Sequence, residues 1–229
     1  MGEIFDKWPK RYEKWFKTPI GQLVEAYERQ LVFDMLLPGP GERILDAGCG
    51  IGVFTGNLLE EGAVVTGLEI SLPMLKQAAD TFRKSHFQSV QGDMRHLPFP
   101  DGRFDKTVSI TAIEFVADAE NAIREMFRVT KPAGYVVAAT LNSLSPWAQS
   151  RKTAAQKGHS VFRHAIFRSP DQVLALSPVD GTARTAIHFQ RNEDPQVAKQ
   201  VEADGQRKEL KTGAFVAACW KKPGEPTTL

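Results

Sequence analysis

The chain contains few cysteines and almost no excess charge. Its 229 residues include only Cys49 and Cys219, which lie far apart in the sequence. Two isolated cysteines form neither a disulfide framework nor a zinc-binding knuckle, and they favour a reducing compartment. The formal net charge is +2, so the sequence predicts no broad basic surface for nucleic acid. We therefore expect no metal and no nucleic-acid partner.

Long apolar segments are also missing. No apolar run approaches the roughly 18 residues that a membrane span requires. The charged N-terminal segment lacks the apolar region of a secretory signal. Together with the cysteine usage, this predicts a cytoplasmic protein. The length suits one domain with a full core, and no long linker interrupts the chain, so we expect a single domain over residues 1–229.

Segments typical of strands and helices alternate from residue 43 onwards. Apolar runs predict buried strands at residues 43–47, 63–69, 87–93, 104–113 and 134–141. Helical patterns are found at residues 20–37, 53–61, 71–82 and 119–130. This alternation predicts an α/β fold, a Rossmann-like three-layer sandwich with a mostly parallel sheet. Two late strands, at 182–189 and 213–220, are expected to form an antiparallel pair at its end.

The last third of the chain is less regular. Residues 142–180 are predicted to be loop-rich, with one short helix near 169–176. The polar stretch at 190–212 has no convincing core positions. We expect substrate specificity to reside in residues 142–212 of this region and in residues 1–20.

The glycine-rich turn after the first strand indicates a nucleotide-binding site. It reads DAGCGIG over residues 46–52, and it would present backbone N–H groups and a helix N-terminus to a ligand. A dinucleotide fingerprint needs G-x-G-x-x-G, but Val53 occupies the third glycine position. The turn therefore argues against a dinucleotide ligand.

Three acidic residues follow the first three strands. Asp46 ends the first, Glu69 ends the second and Asp93 lies just past the third, at the edge where α/β sheets bind ligands. Glu69 can accept hydrogen bonds from ribose hydroxyls, whereas Asp46 would repel a phosphate and attract an amino group. S-adenosylmethionine has a ribose, an ammonium group and no pyrophosphate. Asp93 would accept from its adenine amino group, with Met94 and Ile70 against the ring.

Four motifs follow one another within residues 43–140. They read LDAGCGIG, GLEIS, GDMRHLPFPDGRFD and REMFRVTKPAGYVV. As an ordered set they resemble the class I S-adenosylmethionine-dependent methyltransferases of type 11, a family that includes ubiquinone/menaquinone methyltransferase-like proteins. The chain departs from that family at Ile51 and Ala133, where threonine and glycine are frequent. It also reads AIEFVAD after the fourth strand, where many relatives carry a histidine pair.

The resemblance implies which residues contact the cofactor. The glycine turn would meet its methionine part, and Thr111 and Ala112 would approach the methionyl group through their backbone. The implied cofactor-binding residues are Asp46, Ala47, Gly48, Gly50, Glu69, Ile70, Asp93, Met94, Thr111 and Ala112. The domain would consist of an N-terminal helical cap (1–40), a cofactor-binding core (43–140) and a substrate-side segment with closing strands (141–229).

Candidates for the acceptor side come from the less regular parts of the chain. They are Tyr12, Trp15, Glu114, Trp147 and Phe162. Glu114 is the single catalytic candidate because it follows the fourth strand at the ligand edge, although a helix cap or a solvated charge is the favoured interpretation. Trp147 and Phe162 either line the acceptor pocket or pack in the core.

Other polar residues of the last third are interpreted as structural or solvated. This holds for the histidines His159, His164 and His188, which are assigned to the surface or to packing. It also holds for the basic residues Arg151, Lys152 and Lys157, which are assigned to a solvated loop.

Residues 5–17 are predicted to form an amphipathic helix. Aromatic residues, Tyr12 and Trp15 among them, recur at helical spacing, and basic residues occupy much of the rest. Such a helix can be a lid over the ligand, a packed helix or a basic membrane-surface helix. The short apolar face favours the lid or the packed helix over membrane contact.

Three functions are compatible with these residues. The first is methyl transfer from S-adenosylmethionine to a small-molecule acceptor by in-line displacement, which requires alignment and exclusion of water rather than an obligatory catalytic residue. The second is a non-catalytic, cofactor-binding regulatory protein. The third is an NAD-dependent oxidoreductase, against which Val53 and Asp46 argue. The identity of the acceptor and the oligomeric state are not predicted.

Overall fold

A seven-stranded sheet forms the centre of the molecule. The computed structural model describes residues 18–156 and 161–224. The strands are β1 (Arg43–Ala47), β2 (Val64–Glu69), β3 (Phe87–Gln91), β4 (Phe104–Ile110), β5 (Thr130–Leu141), β6 (Gly181–Ala186) and β7 (Phe215–Lys221). Their order across the sheet is β3-β2-β1-β4-β5-β7-β6.

The direction of the strands places several strand ends at one edge. The first five strands are parallel, and β7 pairs antiparallel with both β5 and β6. Asp46 of β1 is in register with Gly67 of β2 and with Val108 of β4. The strand order reverses between β1 and β4, which is where open α/β sheets bind ligands. The predicted fold class is confirmed, including the antiparallel strands at its end.

Several helices begin at a side chain that caps them. They are α1 (Pro19–Leu36), α2 (Val53–Glu60), α3 (Leu72–Thr81), α4 (Ala119–Val129), α5 (Pro146–Gln156), α6 (Pro170–Leu174) and α7 (Pro195–Arg207). The Thr18 side chain accepts from the Gly21 N–H at 3.1 Å and starts α1. Short 3₁₀ helices lie at Ile113–Phe115 and Val161–His164. None of the helices in the described ranges is both long and apolar enough to cross a membrane.

Both faces of the sheet are covered by apolar side chains. Ile44 and Leu45, neighbours in β1, belong to two different buried clusters, because successive strand residues point to opposite faces. Helix α1 contributes Val24 to the first cluster, and helix α4 contributes Ile123 and Met126 to the second. Helices on both faces of the sheet produce the three layers expected for this fold.

Two helices lie where the sequence predicted irregular chain. Helix α5 falls within 142–180, and α7 falls within the polar stretch 190–212. The Asp194 carboxylate caps α7 by accepting two backbone N–H bonds, at 2.9 and 3.2 Å. Helix α7 does contribute buried residues, so the prediction of no convincing core positions is wrong. These residues are Ala198, Glu202 and Gly205, which are small or polar and therefore give no apolar pattern in the sequence.

Candidate active site

The glycine turn after β1 meets the segments that follow β3 and β4. A Cβ atom built at Gly48 would lie 2.4 Å from the Cβ of Ala112 and 3.3 Å from the Cε of Met94. Gly48 also has φ +83°, a conformation that side-chain-bearing residues rarely adopt. Glycine is therefore required here, and three of the predicted cofactor residues converge at this point.

Glu69 joins the glycine turn to the segment after β2. Its Oε2 accepts from the Gly50 N–H at 3.1 Å, and its Oε1 accepts from the Ser71 N–H at 2.8 Å. The residue is 8% exposed, and burial raises the pKa of Glu69, opposed by these backbone N–H groups. A carboxylate has about four lone-pair sites, so the fixed group retains acceptor capacity for a ligand.

Asp46 lies deeper in the same turn. It is 2% exposed, and its Oδ2 accepts from Thr55 Oγ1, in helix α2, at 2.7 Å. The pKa of Asp46 is raised to about 6. Burial is the main cause and the nearby charge of Glu69 adds to it, while the Thr55 hydrogen bond acts in the opposite direction. Two buried carboxyl groups therefore face one turn, and a cationic ligand group would stabilise their ionised forms.

Asp93 is paired with a neighbouring arginine. Arg95 Nε contacts both Asp93 oxygens, at 3.1 and 3.0 Å, and the Arg95 backbone N–H contacts Oδ1 at 2.9 Å. These contacts hold the pKa of Asp93 below its usual value. Met94, next in sequence, is buried. A ligand that binds Asp93 would have to share its carboxylate with Arg95.

The segment after β2 exposes an apolar surface beside Glu69. Ile70 is 38% exposed and Leu72 is 42% exposed. On the other side of the turn, Ala47 is fully buried, so only its backbone can contribute to a ligand site. The arrangement offers a carboxylate next to an open apolar face, which suits a ribose with an attached flat base.

Thr111 has a strained backbone at the end of β4. Its φ is +50°, which is uncommon for a β-branched residue, and its N–H donates to the Ala139 carbonyl at 2.9 Å. Backbone strain of this kind concentrates at functional sites. The strained residue leads directly into Ala112, which contacts the glycine turn.

Glu114 is buried in the short 3₁₀ helix that follows β4. It is 1% exposed, and its Oε2 accepts from Thr140 Oγ1 of β5 at 3.0 Å. No donor in the described ranges reaches its Oε1. Burial raises the pKa of Glu114 to about 7, while the charges of Arg151 and Arg168 lower it. The interpretation of Glu114 as a solvated charge is wrong.

A second buried glutamate, which the sequence analysis missed, is influenced by the charge of Glu114. Glu28 of helix α1 is 5% exposed, and no donor among the described residues reaches its Oε2. Burial raises the pKa of Glu28 to about 8, and Glu114 and Glu25 raise it while Arg151 lowers it. Glu28 lies between Val24 and Leu31 on the buried stripe of α1, and a charge on an apolar stripe is the signal that could have revealed it.

Arg151 connects the aromatic candidates to the glutamates. Its guanidinium carbon lies 5.2 Å from the ring centroid of Trp147 and 5.3 Å from that of Phe162. It sits on helix α5, four residues after Trp147, and is half-buried. The prediction of a solvated loop at Arg151 is therefore wrong. The spacing of four, which places two side chains on one helix face, was the readable signal.

The remaining candidates include residues that the structure does not describe. Tyr12, Trp15, Lys157 and His159 lie outside the described residues, as does the predicted helix at 5–17. His164 is exposed. His188 is a packing histidine, since its side chain is 3% exposed and its Nδ1 lies 3.1 Å from Glu202 Oε2. Its assignment to packing is confirmed.

Known proteins resemble this chain in sequence and in fold. A methyltransferase domain profile matches residues 45–138. Malonyl-[acyl-carrier protein] O-methyltransferase of Salmonella typhimurium is 30% identical over 173 residues, 66% of this chain and 68% of that protein. Demethylmenaquinone methyltransferase of Beutenbergia cavernae is 35% identical over 145 residues, 63% of this chain and 59% of that protein.

The solved structures agree. A Thermotoga maritima protein named "SAM-dependent methyltransferase, possible histamine N-methyltransferase" superposes with a TM-score of 0.76 at 24% identity, covering 96% of this chain and 99% of that one. At this identity the likeness supports the fold alone. The sequence matches are those of a methyltransferase rather than of a nicotinamide oxidoreductase. The chain therefore belongs to the S-adenosylmethionine-dependent methyltransferases, and S-adenosylmethionine is its cofactor.

Proposed function

We propose that the chain transfers the methyl group of S-adenosylmethionine to a small-molecule acceptor, with the cofactor held between the ends of β1 and β4. The observation that carries this placement is the meeting of Gly48, Ala112 and Met94. The contact lies at the point where the strand order reverses, which is the usual ligand site of such sheets.

The residues around this point fit the chemical groups of the cofactor. Glu69, fixed by two backbone N–H groups, would accept from the ribose hydroxyls. Asp46 would stabilise the ammonium group from within the turn. Ile70 and Met94 would contact the adenine ring, and Asp93 would accept from its amino group.

The chemistry requires little from a catalytic side chain. When bound, the cofactor supplies a methyl group that is already activated by its attachment to a sulfonium. The chain's part is to align the acceptor with that methyl group and to exclude water. Thr111 and Ala112 would place their backbone beside the reacting end, and Glu114 begins the acceptor side.

The acceptor cannot be carried over from the relatives. Their names specify a malonyl-acyl carrier protein in one case and demethylmenaquinone in another. Both enzymes differ from this chain at about two thirds of the aligned positions, and the described acceptor side is built from this chain's own helices α1 and α5. We therefore propose a small molecule and derive its chemistry from the site itself.

Calorimetry tests the proposed function. S-adenosylhomocysteine, the demethylated cofactor, is expected to bind with one site per chain, and NAD is expected to give no heat. Glu69→Gln should weaken S-adenosylhomocysteine binding, whereas Glu61→Gln, on an exposed neighbour, should not. Preferential binding of NAD, or equal binding by wild type and Glu69→Gln, would refute the placement of the cofactor.

A further inference from the structure

Five side chains beyond Ala112 form a group that we call the acid–aromatic cluster: Glu28, Glu114, Trp147, Arg151 and Phe162. The inference drawn from it rests on the proposed function, because it concerns the acceptor of the same reaction. The cluster begins two residues after Ala112, which contacts the glycine turn. It therefore continues the edge at which the cofactor is proposed to bind.

The aromatic part of the cluster has the geometry of a cation site. The Arg151 guanidinium lies within about 5 Å of two ring centroids, inside the roughly 6 Å range of favourable cation–π contacts. Pairs of aromatic rings that hold a charged nitrogen are a general way to recognise organic cations. Here a side chain of the protein occupies that position.

The acidic part of the cluster has unused acceptor capacity. Glu28 Oε2 and Glu114 Oε1 are both buried, and within the described ranges neither has a hydrogen-bond donor. Leaving a buried acceptor without a donor is costly, and most such atoms in folded proteins are paired. Two such oxygens, one of them on Glu28, whose pKa the charge of Glu114 raises, give the described part of the site two acceptor positions that a ligand donor can fill.

The charges of the cluster permit one cation to replace another. Arg168, a further charge facing Glu114, is held by its own contacts, since its Nη1 donates to the carbonyls of Ile113 and Ile166 at 3.3 Å. Arg151, on helix α5, is half-buried, whereas its neighbour Lys152 is exposed. A ligand carrying one positive charge would preserve the charge balance against Glu28 and Glu114.

We propose that the methyl acceptor is an amine, whose cationic nitrogen takes the place of Arg151 between Trp147 and Phe162 and donates to Glu114 and Glu28. Arg151 fills the site when the acceptor is absent. This assigns the acceptor side to a protonated primary or secondary amine rather than to an alcohol or a carboxylic acid.

The reaction then has a proton acceptor in place. Glu114 takes a proton from the ammonium group, and this frees the nitrogen lone pair. The nitrogen forms a bond to the methyl carbon as the bond from that carbon to sulfur breaks, with its electron pair left on sulfur. The raised pKa of Glu114, about 7, suits a base at neutral pH. Glu28, on helix α1, accepts a hydrogen bond from the same nitrogen.

Binding of three matched probes tests the proposal. Phenethylamine, 2-phenylethanol and 3-phenylpropionate would be titrated into the wild-type protein, with and without S-adenosylhomocysteine. We expect phenethylamine alone to bind. Arg151→Met should raise its affinity about tenfold, because the competing cation–π contact is removed. Glu114→Gln should lower it about tenfold or more, because a charge-assisted hydrogen bond is lost.

Control variants separate the alternatives. Lys152→Met removes an exposed positive charge from the same helix and should leave phenethylamine affinity unchanged, and Arg151→Lys should keep the competing charge. Equal binding of amine and alcohol, or weaker amine binding by Arg151→Met, would overturn the proposal. So would carboxylate binding that disappears in Arg151→Met, since Arg151 would then be an anion site.

Folding and cofactor binding are read separately. If Arg151→Met does not unfold cooperatively, the comparison of wild type with Glu114→Gln and Glu28→Gln decides. Amine binding that is absent, or unchanged by both glutamine variants, overturns the proposal. If the wild-type protein does not bind S-adenosylhomocysteine, the proposed function itself is refuted, whatever the amine titration gives.

Discussion

The proposed site has a cofactor half around Asp46 and Glu69 and an acceptor half around Glu28 and Glu114. The two halves satisfy their buried polar groups in different ways. In the cofactor half, the Glu69 carboxylate is held by two backbone N–H groups, and Asp46 is held by Thr55. In the acceptor half, Glu28 and Glu114 are buried as well, but each keeps an oxygen without a donor in the described part of the structure.

This difference reflects how each half is assembled. The cofactor half comes from consecutive strand ends and the turns that follow them, so its donors are backbone groups fixed by the fold. The acceptor half brings together α1, the segment after β4, and α5, so its donors must be side chains or a ligand. The first half is thus preorganised, and the second would be completed by the proposed amine.

The largest effect is expected from a substitution in the glycine turn of the cofactor half. Gly48→Ala should lower the free energy of unfolding by about 4 kcal/mol, since left-handed backbone strain adds to overpacking against Ala112. Gly41→Ala is the matched control, because Gly41 has φ +74° but no atom within 4 Å of the added Cβ. Its cost should be about 1–2 kcal/mol of strain alone. Equal losses in urea denaturation would mean that the contact with Ala112 is not close.

The next largest effect is expected from removal of the Glu69 carboxylate. Glu69→Ala should weaken S-adenosylhomocysteine binding by about 3 kcal/mol, roughly a hundredfold, because charge-assisted hydrogen bonds contribute about 1.5–3 kcal/mol each. Calorimetry measures this directly, with Glu61→Ala as the exposed control. An unchanged dissociation constant in a folded variant would remove Glu69 from the ribose site.

Glu28 of the acceptor half should make the free energy of unfolding depend on pH. The pKa of Glu28 is raised to about 8 in the folded protein, so stability from its neutral form is full below the unfolded pKa and is lost as pH rises through about 8. Glu28→Gln should remove this loss. Relative to wild type, we expect the variant to gain about 3 kcal/mol of unfolding free energy between pH 5.5 and pH 8.

Urea denaturation at the two pH values checks this prediction. Glu61→Gln, which removes an exposed carboxylate, should run parallel to wild type. Parallel behaviour of Glu28→Gln would show that Glu28 is ionised throughout, and the contrast between the two halves would then be smaller than the burial of Glu28 indicates.

The smallest effect is expected at the edge of the cofactor half. Asp93→Ala should weaken S-adenosylhomocysteine binding by about 1 kcal/mol or less, because its carboxylate is partly exposed and already shared with Arg95. Arg95→Gln is the companion variant, since it releases the carboxylate and should leave affinity equal or slightly higher. A larger loss for Asp93→Ala than for Glu69→Ala would invert the map of the pocket.

The strands, the turn and the acidic residues of the proposed cofactor half could be read from the sequence because they belong to short motifs. Strand ends, the glycine turn and the acid after β2 follow from patterns of a few residues, and the fold class was confirmed with them. Which cofactor group each residue contacts stays a prediction. The convergence of Gly48, Met94 and Ala112 agrees with that assignment without testing it.

The acceptor half was predicted only in part. Position after a strand marked Glu114, but its burial depends on helices distant in sequence, and so does the partnership of Arg151 with Phe162. Helices α5 and α7 were missed because their buried faces lack a strong apolar period. Cap signals, such as Asp194 before Pro195, were present and would have located α7.

The position of β7 also has a consequence for the order in which the molecule can form during synthesis. Among the described strands, β6 pairs with β7 alone, and β7 follows it by about thirty residues. Until residues 215–221 have left the ribosome, β5 presents an unpaired edge, and the edge of β6 remains available to other chains. The first five strands can pair as they emerge, whereas the acceptor side waits for the last described strand to close the sheet.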